Sequence, residues 1–364
     1  MDKRYYRLNP ECYLVKGTKN GIIINIYEGK AISIDEAFSN ILLKLEHGNP
    51  IEERHENLYK LIEMGWADEY DAPVFIDKIR VTNVFGKRHM WKSAPIINLA
   101  VLQITGNCEK DCPDCLFDRC PACKKDTEHS PIDLESWKMV IDRLTLFNTN
   151  TILLTGGNPI LNSNYEKILD YAVSKKINTF IHVSSVSDCE KVKEKYNVFL
   201  SVMDDEDITK LGAVLKKKKN IFQVFVNEKK AFRVTVKDKK IHYINSENLK
   251  IHKSNMFSLG IDPYRFALKQ MYNECFFGKI CINQRGDILP CLKAGNPVGN
   301  FLGDNFIEGL KRLIENYWYV SVDDKTQEFK CTRCENRYVC RNLCTFSPNK
   351  DECSYHIEES KWSC

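Results

Sequence analysis

No apolar run in the chain approaches the roughly 18 to 20 residues that a membrane-spanning helix needs, so no membrane partner is expected. The opening Met1-Asp-Lys-Arg-Tyr carries basic side chains with no apolar stretch behind them, which is not the pattern of a secretory signal. Charge of one sign is also scarce. The 53 Lys and Arg against 49 Asp and Glu leave +4 over 364 residues, too little to argue for a nucleic-acid partner. With 43% hydrophobic and 28% charged residues the composition is that of a globular protein, which excludes collagen-like, coiled-coil and wholly disordered chains. A chain of this length holds two or three domains.

What is abundant is cysteine. Sixteen of them without an export signal point to a reducing, cytoplasmic setting. Clustered thiols there are more often metal ligands or catalytic groups than disulfides. Cys12 and Cys189 stand alone, five lie between Cys108 and Cys123, and nine between Cys275 and Cys364. Buried structural thiols would spread through the core instead.

Residues 1–76 read as a small α+β unit. Tyr13-Leu-Val, Ile22–Tyr27 and Ala31–Ile34 are short β-rich runs punctuated by Gly17, Gly21 and Gly29. Two amphipathic helices follow, one from about Asp35 to Gly48-Asn-Pro50 and one ending at Gly65. The pattern predicts a winged-helix-like module. Residues 77–96 read as a linker.

From residue 97 strands and helices alternate. Strands are predicted at 97–104, 151–154, 179–183, 198–202 and 221–226. Ser130-Pro-Ile-Asp133 reads as a helix start with Ser130 as N-cap, and Lys216–Lys219 as cations on a solvated helix end. Residues 231–245 read as a hairpin turning at Lys237-Asp-Lys, and the chain beyond about 262 as loop-rich. Such alternation predicts an α/β fold with a parallel sheet or partial barrel, whose active site lies at the C-terminal strand ends.

The strand at 97–104 runs into Cys108-x3-Cys112-x2-Cys115. Three thiolates are one short of a structural zinc site, which takes four protein ligands. They suit a [4Fe–4S] cluster with one open iron. Zinc with Cys120 or Cys123 as fourth ligand is the structural alternative. After the next strand stands Thr155-Gly-Gly-Asn-Pro159.

Together these motifs resemble the radical SAM superfamily. The resemblance implies that Cys108, Cys112 and Cys115 hold a cluster whose open iron is chelated by S-adenosylmethionine. An electron from it cleaves the sulfonium to a 5′-deoxyadenosyl radical. The family usually has Gly-Gly-Glu-Pro where this chain has Gly156, Gly157, Asn158 and Pro159, so an amide replaces the acid. Asp114 stands where an aromatic often precedes the third cysteine. Ser184, Ser201 and Asp204 lie at later strand ends where the family places further contacts to S-adenosylmethionine. The role of Cys120-Pro-Ala-Cys123 is open between a redox pair, a metal site and packing.

The later cysteines, taken alone, would also allow zinc-ribbon-like sites. Their order, with Gly286, resembles the SPASM extension that follows radical SAM domains. It implies two auxiliary [4Fe–4S] clusters, and so three in all. Cys275, Cys281, Cys291 and Cys344 would hold the first. Cys331, Cys334 and Cys340 would hold the second, completed by Cys353 or Cys364, with Cys353 preferred because a terminal residue frays. The expected organisation is a winged-helix-like leader-recognition module (1–76), a linker (77–96), a partial (β/α)6 radical SAM barrel (97–261) and a loop-rich SPASM domain (262–364).

SPASM-bearing enzymes mostly modify peptides. The N-terminal unit resembles the leader-recognition element of peptide maturases, which adds the leader of a ribosomally made precursor to a sheet edge. The implied activity is a cross-link, thioether or C–C, in that precursor, with flavodoxin or ferredoxin as electron donor. A sulfatase-maturase-like side-chain oxidase is one alternative. A zinc-ribbon protein with a DNA-binding winged helix is another.

Overall fold

The computed structural model describes residues 4–51, 55–79, 95–109, 128–202, 204–227, 238, 240–244, 256–257, 263–273, 275–292, 294, 296–321, 330–340, 355–359 and 361–362. Cys112, Cys115, Cys120, Cys123, Cys344, Cys353 and Cys364 lie outside them, as do Asp114, most of the expected linker and the first arm of the expected hairpin. Two compact units are present. One comprises Met1–Met90, Leu249–Glu274 and Tyr319–Cys364; the other comprises Trp91–Asn248 and Cys275–Trp318.

The first unit opens with β1 (Tyr5–Leu8), β2 (Cys12–Lys16), β3 (Gly21–Asn25) and β4 (Lys30–Ile34). Then come α1 (Glu36–Glu46), α2 (Glu56–Glu63) and β5 (Ala67–Tyr70). Strands β2, β3 and β4 form an antiparallel meander, and β1 pairs with β5 apart from it. The Asp35 carboxylate accepts from the Phe38 backbone N–H and starts α1 as an N-cap. One side of the meander packs against Phe38, Leu42, Leu58 and Leu61 of the helices.

The second unit is built on β6 (Leu99–Thr105), α3 (Leu134–Thr145), β7 (Thr151–Gly156), α4 (Tyr165–Ser174), β8 (Asn178–Val183) and α5 (Val186–Lys191). It continues with β9 (Asn197–Val202), α6 (Asp205–Lys217), β10 (Ile221–Asn227) and β11 (Ile241–Ile244). Strands β6 to β11 lie side by side in chain order and are all parallel. β11 is the described half of the expected hairpin, and it pairs parallel with β10. Ala100, Leu102, Ile104, Ile152, Leu154, Ile181, Leu200 and Val224 are all fully buried, as expected for a parallel sheet with both faces covered.

Two local expectations need correcting. The N-cap of α3 is Asp133, not Ser130: its carboxylate accepts from the Ser136 N–H at 2.8 Å, and the helix starts at Leu134. A carboxylate three residues before a free N–H outcompetes the earlier hydroxyl. In the lysine run, Lys216, Lys217 and Lys219 are exposed, but Lys218 is buried and donates to the Val192 carbonyl at 2.7 Å.

The chain then returns to the first unit with β12 (Met256–Phe257), antiparallel to β4, and α7 (Pro263–Met271). Phe266 of α7 and Tyr338 join Val15, Ile22, Ile24, Ile26 and Ala31 in one core. The segment expected to be loop-rich also extends the second unit's sheet. β13 (Lys279–Ile282) runs parallel beside β6, and β14 (Asp287–Leu289) and β15 (Gly299–Asn300) follow antiparallel. α8 (Phe306–Leu313) follows. No described helix is long and apolar enough to cross a membrane.

Candidate functional site

The C-terminal ends of β6, β7 and β8 bring the main sequence motifs together. Past β6 the backbone turns through Gly106 and Asn107 to Cys108, whose thiol is half-buried. Gly156 and Gly157, at the end of β7, lie against that turn. The Gly157 N–H donates to the Thr105 carbonyl at 2.9 Å, and the Asn158 N–H donates to the Asn107 carbonyl at 2.6 Å. A Cβ at Gly156 would stand 2.2 Å from the Thr105 carbonyl oxygen, and one at Gly157 would stand 2.0 Å from that of Asn107. Both distances are far inside contact, so only glycine lets the two loops interlock. The glycine pair therefore shapes the turn that leads to Cys108, a role that spacing alone did not reveal.

Asn158 and Pro159 complete this corner. The Asn158 side chain caps the short 3-10 turn Pro159–Leu161, accepting from the Ile160 N–H at 3.3 Å. Its Nδ2 donates to Asp188 Oδ2 at 2.9 Å, and both residues are buried. Asp188 pairs with Ser185, the N-cap of α5. The Asp188 N–H donates to Ser185 Oγ at 3.0 Å, and that hydroxyl donates to Asp188 Oδ2 at 2.8 Å. Lys191 Nζ donates to Asp188 Oδ1 at 2.9 Å. Burial works against the charged form of Asp188, but the Lys191, Ser185 and Asn158 donors outweigh it and hold the carboxyl below its ordinary range. Sequence reading passed over Asp188, although a serine followed three residues later by an acid marks a helix start.

The other expected S-adenosylmethionine contacts fall as follows. Ser184 follows β8 and is half-buried. Ser201 is fully buried in β9, its Oγ 2.9 Å from His182 Nε2. Asp204 is the N-cap of α6 and accepts from the Asp207 N–H at 2.8 Å. His182 Nδ1 in turn lies 3.5 Å from Thr155 Oγ1. Gln103, Thr155, His182 and Ser201 are thus buried polar groups near the ends of four adjacent strands. Burial pushes the His182 imidazole down to about 4, so it is neutral at pH 7. His182 was missed as well; its signal is a polar residue inside a continuous apolar run.

The described thiols differ in character. Cys12 and Cys189, the isolated pair, are pushed up to about 12, chiefly by burial, and are inert packing groups. Burial also pushes Cys334 upward. Cys281 lies on β13 with its Sγ 3.8 Å from the Pro290 carbonyl, beside Cys291, and Lys279 Nζ is 3.7 Å from Cys275 Sγ. Cys331, Cys334 and Cys340 share one run of tight turns, with Cys334 N–H donating to the Cys331 carbonyl at 3.1 Å. None of the described thiols is in a disulfide, so the donor chemistry suits a soft metal centre. Among the described residues no three Cys, His, Asp or Glu side chains converge as a ligand set.

In the first unit a groove of about 500 Å³ lies between β4 and α2, lined by Ile32, Ser33, Ile34, Lys60, Leu61 and Met64. Its floor is apolar and its rim polar.

No protein-family model and no curated protein matches the chain. Several solved structures are similar to it. One is Streptococcus suis SuiB bound to precursor peptide SuiA, at 15% identity over 93% of this chain and 95% of that one, with a TM-score of 0.43. Tagged anSMEcpe with bound AdoMet is 14% identical over 71% of this chain and 87% of that one, with a TM-score of 0.46. BtrN in complex with AdoMet and 2-DOIA is 14% identical over 71% of this chain and 98% of that one, with a TM-score of 0.34. These likenesses are distant, and the function is proposed from the chain's own residues.

Proposed function

We propose that the chain is a radical SAM enzyme of the SPASM type that matures a ribosomally made precursor peptide by installing a thioether or C–C cross-link. The observation that carries this reading is the interlock of two motifs. The loop leading to Cys108 and the Gly156-Gly157 corner are hydrogen-bonded backbone to backbone at neighbouring parallel strand ends, where α/β folds place their chemistry. Cys108, Cys112 and Cys115 would hold a [4Fe–4S] cluster, with Gly156, Gly157, Asn158 and Pro159 beside it. Bound there, the cluster and S-adenosylmethionine would supply one-electron reductive cleavage of a sulfonium C–S bond and, through it, hydrogen abstraction from the substrate. The chain's own part is to hold that corner in place through the interlocked backbone bonds. Ser184, Ser201 and Asp204 would border it.

In this reading residues 97–261 are the radical SAM barrel. Residues 262–364 would hold the auxiliary clusters, with Cys275, Cys281, Cys291 and Cys344 serving one and Cys331, Cys334, Cys340 and Cys353 or Cys364 the other. Residues 1–76 recognise the leader, with flavodoxin or ferredoxin as electron donor. The groove between β4 and α2 supports that assignment. β12 already pairs with β4 at Ala31 and Ile32, so the support comes from side-chain burial: the groove offers an apolar floor with a polar rim to the apolar side chains of a bound peptide.

The test is anaerobic reconstitution. Three four-iron clusters imply about 12 irons per chain. Replacing Cys108, Cys112 and Cys115 together by Ala should remove about a third of that iron and abolish 5′-deoxyadenosine release. Continued release from the triple variant would overturn the assignment.

A further inference from the structure

The acid that is absent at position 158 is present in space at position 188. Asn158 lies between the cysteine loop and Asp188: its backbone N–H is bound to Asn107, next to Cys108, and its side chain to the Asp188 carboxylate. An amide side chain can turn either way, but a carboxylate only accepts. Asp188 therefore forces the NH2 of Asn158 toward itself. The carbonyl Oδ1 is left as the end that can face a donor, and its one recorded partner is a long 3.3 Å contact from the Ile160 N–H. The Asp188 carboxylate is itself buried, with Lys191 Nζ 2.9 Å from its other oxygen.

We propose that Asp188 is a positioning residue for S-adenosylmethionine: through Asn158 it orients an acceptor, and it supplies the buried negative charge, for the α-ammonium group of the ligand. This rests on the radical SAM reading. It explains the amide at 158, because a carboxylate there would face Asp188 as a second buried anion. The helix cap alone needs only Ser185 Oγ and the Asp188 N–H; the bond to Asn158 ties the Asp188 carboxylate to the site.

The test uses the full chain, reconstituted anaerobically, and measures by equilibrium dialysis the affinity for S-adenosylmethionine and for its analogue lacking the α-amino group. Asp188→Asn should weaken S-adenosylmethionine about tenfold, the scale of a lost hydrogen bond to a charged group, and leave the analogue unchanged. Moving the acid back, in Asn158→Asp with Asp188→Asn, should restore preference for the amino group. Ser185→Ala, which breaks the cap but not the Asn158 bond, should lower stability and keep the preference. If Asp188→Asn does not fold, Asn158→Ala severs the same link and should show the same selective loss. Equal weakening of both ligands would make Asp188 a helix cap only and overturn the proposal, as would unchanged affinity. A wild-type protein with full iron that binds neither ligand would instead bring down the radical SAM reading, and this proposal with it.

Discussion

At the scale of single residues, Gly157 and His182 carry the most specific consequences. A methyl group at Gly157 cannot coexist with the Asn107 carbonyl at 2.0 Å, and the obstacle is backbone, which cannot swing aside. Gly157→Ala should therefore leave the sheet folded but displace the cysteine loop. The expected result is loss of 5′-deoxyadenosine formation by at least about 100-fold, a size typical of misplaced reacting groups, with iron loss confined to one cluster. Circular dichroism, iron analysis and product assay together check it.

His182 makes a pH prediction. Its folded value of about 4 lies below the value of about 6.5 expected when unfolded. Between these the unfolded chain binds a proton that the folded chain refuses, so stability is full above about pH 6.5 and falls as pH drops toward 4. His182→Gln keeps a polar group near Ser201 without titrating. Its stability gap to the wild type should narrow by about 1 kcal/mol between pH 6.5 and 5.5, read from anaerobic urea unfolding. A constant gap would mean that the imidazole takes up its proton in the folded state.

At the scale of elements, the periodic parts were legible and the long-range joins were not. The meander β2–β4, both N-terminal helices and strands β6 to β10 were all readable from alternation, glycine punctuation and helical spacing. The start of α3 was misjudged by three residues because a hydroxyl and a carboxylate both offered caps. β1 and β5 were missed, since each is a four-residue strand whose partner lies across the whole N-terminal unit. β13 was missed because its pairing with β6 spans about half of the chain. The cysteine spacings were legible at once; the acid that completes the Asn158 corner was not, because Asp188 is joined to it only by the fold.

One of these joins yields a prediction. The turn between β2 and β3 contacts the cysteine-bearing turns: Thr18 N–H donates to the Arg333 carbonyl at 2.9 Å, and Arg337 donates to the Lys16 carbonyl at 2.9 Å. A Cβ at Gly17 would stand 2.9 Å from the Glu335 backbone nitrogen and 2.4 Å from its carboxylate. Gly17→Ala should push the Cys331–Cys340 turns away. The expected outcome is about a third less iron after reconstitution with S-adenosylmethionine cleavage retained, seen by iron analysis and by 5′-deoxyadenosine release. Full iron and unaltered cluster spectra would show that these turns do not hold a cluster.

At the scale of the whole molecule, the first unit is assembled from three separated stretches of chain. That decides how leader recognition can be tested. Deleting residues 1–77 would strip Val15, Ile22, Ile24 and Ala31 from Phe266 and Tyr338, so lost binding could mean only a lost core. Pro at Ile24 is no better, because Ile24 is fully buried in the central strand and pairs on both sides. A change on the groove wall avoids both problems. Met64 is half-buried at the end of α2 and lines the groove. Met64→Glu leaves the meander intact but puts a charge where the leader's apolar side chain would sit, a desolvation cost of one or more kcal/mol. Precursor affinity, measured anaerobically, should fall about tenfold. Cleavage of S-adenosylmethionine without peptide should stay at the wild-type level, and a leaderless core peptide in excess should be processed as before. A precursor affinity equal to the wild type's would remove the groove from leader recognition and, with it, the main reason to prefer a leader-bearing peptide over a folded protein as substrate.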